Sequence, residues 1–95
     1  MHTMRLKTQW DPRKSAANWR KHGVRFSDVE AVFEDPNAIT LEDPDARDEQ
    51  RFVSIGLDSL GRLAVVVYTH RGAHLRVISA RKATRNEART YARRI

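Results

Sequence analysis

The residues best equipped for chemistry in this chain are basic, and many of them fall in one segment, HLRVISARKATRNEARTY, residues 74–91. Its first half alternates and is rich in β-branched residues, as a strand is, yet it carries Arg76 and ends in Arg81-Lys82. An arginine inside an otherwise apolar strand needs an anion or solvent, because an unpaired buried charge is costly. The plain alternative for Arg76 is a solvated position paired with a carboxylate of the acidic stretch EDPDARDEQ. Together with Arg81, Lys82 and Lys21, the pattern points instead to a phosphate-binding concavity on a sheet face, because guanidinium forks match phosphate oxygens in pairs. Strict alternation along the strand puts Arg76 on the side of His74, Ile78 and Ala80, and Arg81 on the side of Leu75, Val77 and Ser79.

A second basic group is WRKHG, residues 19–23, at the expected end of a helix. Lys21 and His22 complement the helix dipole there. A histidine held at a helix end beside a phosphate-binding face is also a candidate general acid or base. Tyr91 either packs or stacks on a base. Trp10 and Trp19 read as core or interface residues rather than stacking platforms. Two metal readings fail. His70 and His74 are separated by the turn RGA, and a zinc site would need further ligands. DPDARDE lacks the glycine and the closing glutamate of an EF-hand. The chain has no cysteine, which excludes disulfides, thiolate catalysis and cysteine zinc sites.

At 95 residues the chain is expected to form one domain spanning residues 1–95, with a hydrophobic fraction of 40% that supports one core. A formal charge of +6 and a pI near 10.5 favour a polyanionic partner, nucleic acid first and an anionic membrane surface second. A merely soluble cationic domain is the alternative. No apolar run approaches the roughly 20 residues of a membrane helix. MHTMRLKTQW has no apolar core of signal-peptide length, so a cytoplasmic location is expected, with Met4 as a possible natural start.

The elements that must position these groups are legible from periodicity and capping. Residues 4–10 alternate like a half-buried strand, with Met4, Leu6, Thr8 and Trp10 on one side. Asp11-Pro12 opens a helix that runs to about His22 and stops at Gly23. A second helix is expected from Ser27, with a Ser27–Glu30 capping box and a Phe26–Ala31 staple, ending at Asp35-Pro36. Residues 38–41, 52–57, 62–70 and 75–80 read as strands, the last three joined by DSLG and RGA into an antiparallel meander. Thr84 and Glu87 form a capping box for a terminal helix ending in Arg93-Arg94. The expected architecture is α+β: strand-helix-helix, a three- to four-stranded meander and a C-terminal helix, with the helices on one sheet face and the other partly open.

Two long stretches, WDPRKSAANWRKHGVRFSDVEAVFEDPNAIT and QRFVSIGLDSLGRLAVVVYTHRGAHLRVISARKATRNEARTY, closely resemble the BrnT family of toxins from type II toxin–antitoxin systems. The likeness runs from Trp10 to Tyr91 and is carried by WDxxKxxxNxxKHGVxFxxxxxVFxDP and RxISARxAxxxExxxY. Trp19 departs from it, a smaller aliphatic residue being commoner there. The resemblance implies a RelE-like fold and ribonuclease activity. It also implies a ribbon-helix-helix antitoxin, two copies of each chain per complex, and DNA contact only through that antitoxin in operon autorepression. On that basis metal-independent RNA cleavage with no cofactor is expected. Arg76 and Arg81 stabilise the phosphorane, Lys21 assists, and His22 shuttles the proton with His70 as its substitute. His70, Lys82 and Tyr91 are the expected substrate-binding residues. The rival from another class is a non-catalytic basic module that grips nucleic acid or only its antitoxin.

Overall fold

The computed structural model describes residues 7–95. The order is β1 (Lys7–Gln9), α1 (Pro12–His22), α2 (Phe26–Val29) continued by a 3₁₀ turn (Glu30–Glu34), β2 (Ile39–Glu42), β3 (Phe52–Leu57), β4 (Leu63–Arg71), β5 (His74–Lys82) and α3 (Arg85–Arg94). Five strands form one sheet in the order β1-β5-β4-β3-β2. From β2 to β5 the sheet is the expected antiparallel meander, while β1 adds to β5 in parallel. Of the first expected strand, residues 4–6 lie outside the described residues.

Local chemistry accounts for the helix ends. Asp11 caps α1 by accepting from the Arg13 N–H at 2.8 Å, and Pro12 takes the first turn, where no N–H is needed. Gly23, at φ 67°, closes α1 in the left-handed region that a side chain disfavours, and its N–H reaches the Trp19 carbonyl. The Thr84–Glu87 capping box of α3 is present in both directions.

The second helix differs from expectation. It begins at Phe26 rather than after a Ser27 cap, makes no side-chain cap and passes into 3₁₀ geometry at Glu30. Phe26 is fully buried, so the core draws the first turn in one residue early. Asp28, inside that turn, is held from the β3–β4 connection by the N–H and hydroxyl of Ser59.

The main core lies between one sheet face and α1 and α2. Val24, Phe26, Val29 and Val32 pack on Ala64, Val66, Tyr68, Leu75, Val77 and Ala80, with Trp10, Phe33 and Phe52 at the margin. Asn18 completes the sheet edge. β1 pairs with β5 only as far as Arg76, so the far half of β5 has no neighbouring strand on that edge. The Asn18 side chain takes that place, accepting from the Ala80 N–H at 3.0 Å and donating to the Ala80 carbonyl at 2.8 Å. A buried backbone pair is satisfied by one side chain.

One irregularity sets the functional geometry. Val67 pairs with Ser79 but Tyr68 pairs with Val77, so Ile78 is an extra residue in a β-bulge. The bulge reverses the parity of everything before it. Leu75, Val77 and Ala80 therefore share the core side, and Arg76, Ser79 and Arg81 share the other. The expectation that Arg76 and Arg81 point to opposite sides is corrected: they are on one face.

Candidate functional site: two ends of strand β5

On the face away from the main core, Arg76 lies opposite Thr69 on β4 and beside Gln9 on β1. His74 shares that face two residues earlier, between Arg71 and Lys7. Arg76 and His74 are half-buried, and Lys7 and Arg71 are exposed. No carboxylate of the acidic loop pairs with Arg76 among the described residues, and Glu49 of that loop holds Arg71 at 3.1 Å instead. Among the described residues Arg76 makes no hydrogen bond or ion pair. Its fork is available to an anion.

His70 lies at the same end of the sheet, on the core side. It is exposed, and its ring packs edge-on against Phe52 at 5.2 Å and Tyr68 at 6.1 Å. It lines an open depression of about 320 Å³ with Glu49, Gln50, Phe52, Thr69 and Arg71. Thr69 is fixed there by donating its hydroxyl to the Gln50 carbonyl at 2.6 Å.

The other end of β5 is built differently. Arg81 grips Glu87 through both arms of its fork, at 2.7 and 2.9 Å, while the Thr84 N–H also donates to that carboxylate. The hydrogen bonds from Arg81 outweigh burial and, with those from Thr84, bring the Glu87 carboxyl down to about 2. The Glu87 hydrogen bond likewise raises the Arg81 guanidinium above its ordinary value. Val65, directly opposite Arg81, is buried outside the main core cluster, so this end of the second face is covered.

Tyr91 packs rather than presenting its ring. It is 3% exposed and donates its hydroxyl to Asp35 at 2.7 Å. Asp35 also accepts from the N–H groups of Leu57 and Asn37. Burial opposes the charge, but these three hydrogen bonds outweigh it and hold the Asp35 carboxyl below its ordinary value. The Asp35 hydrogen bond, reinforced by burial, raises the Tyr91 hydroxyl above its ordinary value. Tyr91 thus clamps α3 to the end of the 3₁₀ turn and to β3, a role unlike stacking on a base.

Lys21 and Lys82 are exposed and His22 is half-buried. All three sit towards the Arg81 end, because Asn18 fixes α1 at Ala80 and the Gly23 carbonyl accepts from Arg62 in the β3–β4 connection at 3.4 Å. The expected catalytic set Lys21, His22, Arg76 and Arg81 is therefore divided between two ends of one strand, and its two helix residues approach from the core side. Trp19 is 45% exposed with the Arg25 guanidinium 4.5 Å from its ring. Among the described residues no three His, Asp or Glu side chains are grouped to hold a metal ion, and no helix is long and apolar enough to cross a membrane.

His74 is the group that sequence reasoning weighed only as a metal ligand. Its signal was the spacing of two from Arg76 ahead of any bulge, which puts both on one side of the strand. Asn18 was passed over entirely; only its place inside the motif WDxxKxxxNxxKHG marked it.

Comparisons with known proteins bear on this geometry. Residues 10–87 match the family model described as a ribonuclease toxin, BrnT, of type II toxin-antitoxin systems, so the class is that of toxin–antitoxin ribonuclease toxins. The chain belongs to the BrnT family. Among solved structures, the crystal structure of the Brucella abortus ribonuclease toxin, BrnT, is similar, with 28% identity and a TM-score of 0.63 over 85% of this chain and 100% of that one. A comparison with curated proteins gives no match.

Proposed function

We propose that this toxin is an endoribonuclease that cleaves RNA without a metal ion, and that the reacting phosphate sits on the sheet face at Arg76. The observation that carries this reading is the half-buried Arg76 guanidinium, without a partner among the described residues, with His74 on the same face. In the reaction the substrate 2′-oxygen bonds to the adjacent phosphorus and the bond from phosphorus to the 5′-oxygen breaks. The products are a 2′,3′-cyclic phosphate and a free 5′-hydroxyl. A base must take the 2′-hydroxyl proton, an acid must protonate the leaving oxygen, and cations must stabilise the phosphorane.

Arg76 serves the last task, because a guanidinium fork pairs two phosphate oxygens. His74 is the nearest proton carrier in register and takes the role otherwise expected of His22. His70, in the neighbouring depression, contacts a flanking base. Lys21 and Lys82, towards the far end, hold flanking phosphates, and His22 ends α1. Arg81 holds α3. The RelE-like kinship, a ribbon-helix-helix antitoxin in a complex with two copies of each chain, operon autorepression through that antitoxin's DNA contact, and action in the cytoplasm complete the reading.

The test is incubation of the purified chain with single-stranded RNA in excess chelator, followed by analysis of the new ends. Cyclic phosphate and 5′-hydroxyl ends, lost in Arg76→Ala, are expected. Binding without cleavage would leave the non-catalytic module, and cleavage only when metal is restored would remove the metal-independent mechanism.

A further inference from the structure

Helix α3, RNEARTYARR, carries four arginines and one acidic residue. That acid, Glu87, is fully used by Arg81 and the capping box. Arg85, Arg89 and Arg93 follow one another at spacings of four, so they form a stripe along one side of the helix. Tyr91 and Glu87 mark the docked side, and the stripe faces away from it; all three arginines are exposed. None of them, nor Arg94, makes an ion pair among the described residues.

This arrangement works against the helix that bears it. Like charges four apart repel, and Arg85 in the first turn opposes the positive end of the helix dipole. Among the described residues no ion pair offsets these costs. The stripe rises about 6 Å from one arginine to the next, since each step is four residues at about 1.5 Å. That is close to the separation of successive phosphates along a nucleic-acid strand. The Arg81–Glu87 pair and the Tyr91–Asp35 bond fix the helix to the rest of the fold, so the backbone positions of the stripe are held in a row.

We infer that the Arg85–Arg89–Arg93 stripe is a binding track for the phosphate backbone of single-stranded RNA, away from the reacting phosphate. The inference rests on the ribonuclease reading for its choice of polyanion. RNA is favoured over an anionic membrane because the helix has no apolar face left to insert: its one large aromatic, Tyr91, is buried in the protein.

The test uses the full chain and a 2′-O-methyl oligouridylate of about 12 nucleotides, within the length that single-strand binding surfaces occupy. This probe lacks the attacking hydroxyl, so binding is read independently of cleavage. Anisotropy titrations over a range of salt give the slope of log affinity against log salt, which for single strands is about 0.7 per phosphate neutralised. The triple variant R85Q/R89Q/R93Q is expected to lower that slope by about 2, while R85K/R89K/R93K keeps it near wild type. The glutamine variant is expected to melt no lower than wild type, because it relieves repulsion. Phosphatidylcholine vesicles containing phosphatidylserine are expected to bind neither form. An unchanged slope in the glutamine variant overturns the inference, as does stripe-dependent vesicle binding as tight as that of the strand. A wild-type chain that binds this probe through the stripe yet never cleaves RNA would overturn the ribonuclease reading and leave the track standing.

Discussion

Arg76 and Arg81 sit on the same strand and, because of the bulge at Ile78, on the same face, yet their surroundings are opposite. Arg81 closes both arms on a carboxylate of the same chain, and that carboxylate also caps a helix. Arg76 has no such partner among the described residues, although an acidic loop lies near enough for Glu49 to take Arg71. A bidentate site that suits phosphate suits carboxylate equally, so the residue type alone does not say whether the anion comes from within or without. The difference lies in what the neighbouring elements supply: a capping glutamate at one end, and none at the other.

The sharpest way to break this comparison is to put a charge on the core side of β5. Val77 is 1% exposed within the main core, so Val77→Arg buries a cation, at about 3–5 kcal/mol against a total stability on the order of 5–15 kcal/mol. It is expected to abolish the cooperative melt seen by circular dichroism. Deleting Ile78 leaves Leu75, Val77 and Ala80 alternating with Arg76, Ser79 and Arg81, so that variant is expected to keep a cooperative melt. A native-like melt of Val77→Arg would mean that the faces are not as this pairing sets them.

A smaller effect is expected at the clamp of α3. Tyr91→Phe leaves the half-buried Asp35 carboxylate with one partner fewer and should cost about 1.5–3 kcal/mol, read as a lower Tm. The wild-type hydroxyl is raised in the folded state, so its contribution is present below its unfolded value near 10 and is lost as the pH rises through the folded value. The phenylalanine variant should therefore lack that alkaline loss of stability. A melt unchanged at neutral pH would show that the hydroxyl does not hold the helix.

Glu87→Ala removes the capping box and the Arg81 pair together, for about 1–2 kcal/mol once the exposure of the pair is allowed for. In a domain of this size that is roughly 4–8 °C in Tm per kcal/mol. The folded carboxyl is depressed to about 2 from 4.5, so its stabilisation is complete above the unfolded value and is lost as the pH falls from 4.5 towards 2. Melts across that window should show an acid loss that the alanine variant lacks in part, since Asp35 titrates in the same direction.

The smallest effect is expected at the end of α1. His22→Gln should cost at most about 0.3–1 kcal/mol through the lost interaction at the end of the helix dipole and leave the cleavage rate near wild type. His74→Gln should lower the rate by about 10²–10⁴-fold with little change in Tm. The reverse pattern would return the proton to His22.

Much of this molecule could be read from its sequence, and the failures have physical causes. The Asp11-Pro12 start, the Gly23 stop, the Thr84–Glu87 box and the meander are local events, fixed by residues next to one another. Ser27–Glu30 has the same local signature but fails, because the burial of Phe26 overrides it. The parity of Arg76 was misread because the bulge has no glycine or proline to mark it and appears only in pairing with β4. Arg81, expected in catalysis, and Tyr91, expected at the substrate, have partners inside the chain, Glu87 and Asp35, that are recruited by how α3 docks, which no spacing records.

The most direct measurement of the central contrast places two variants on one plot, cleavage rate of a single-stranded RNA against Tm, using the purified full chain in chelator. Arg76→Ala is expected to lose about 10²–10³ in rate while melting like wild type, as for loss of a group that meets developing charge. Arg81→Ala is expected to lose about 0.5–1 kcal/mol of stability, the pair being partly solvated, and to keep most of its rate at temperatures where it is folded. If Arg76→Ala cleaves normally, or if Arg81→Ala loses its rate while melting like wild type, the assignment of one arginine to chemistry and the other to architecture is contradicted.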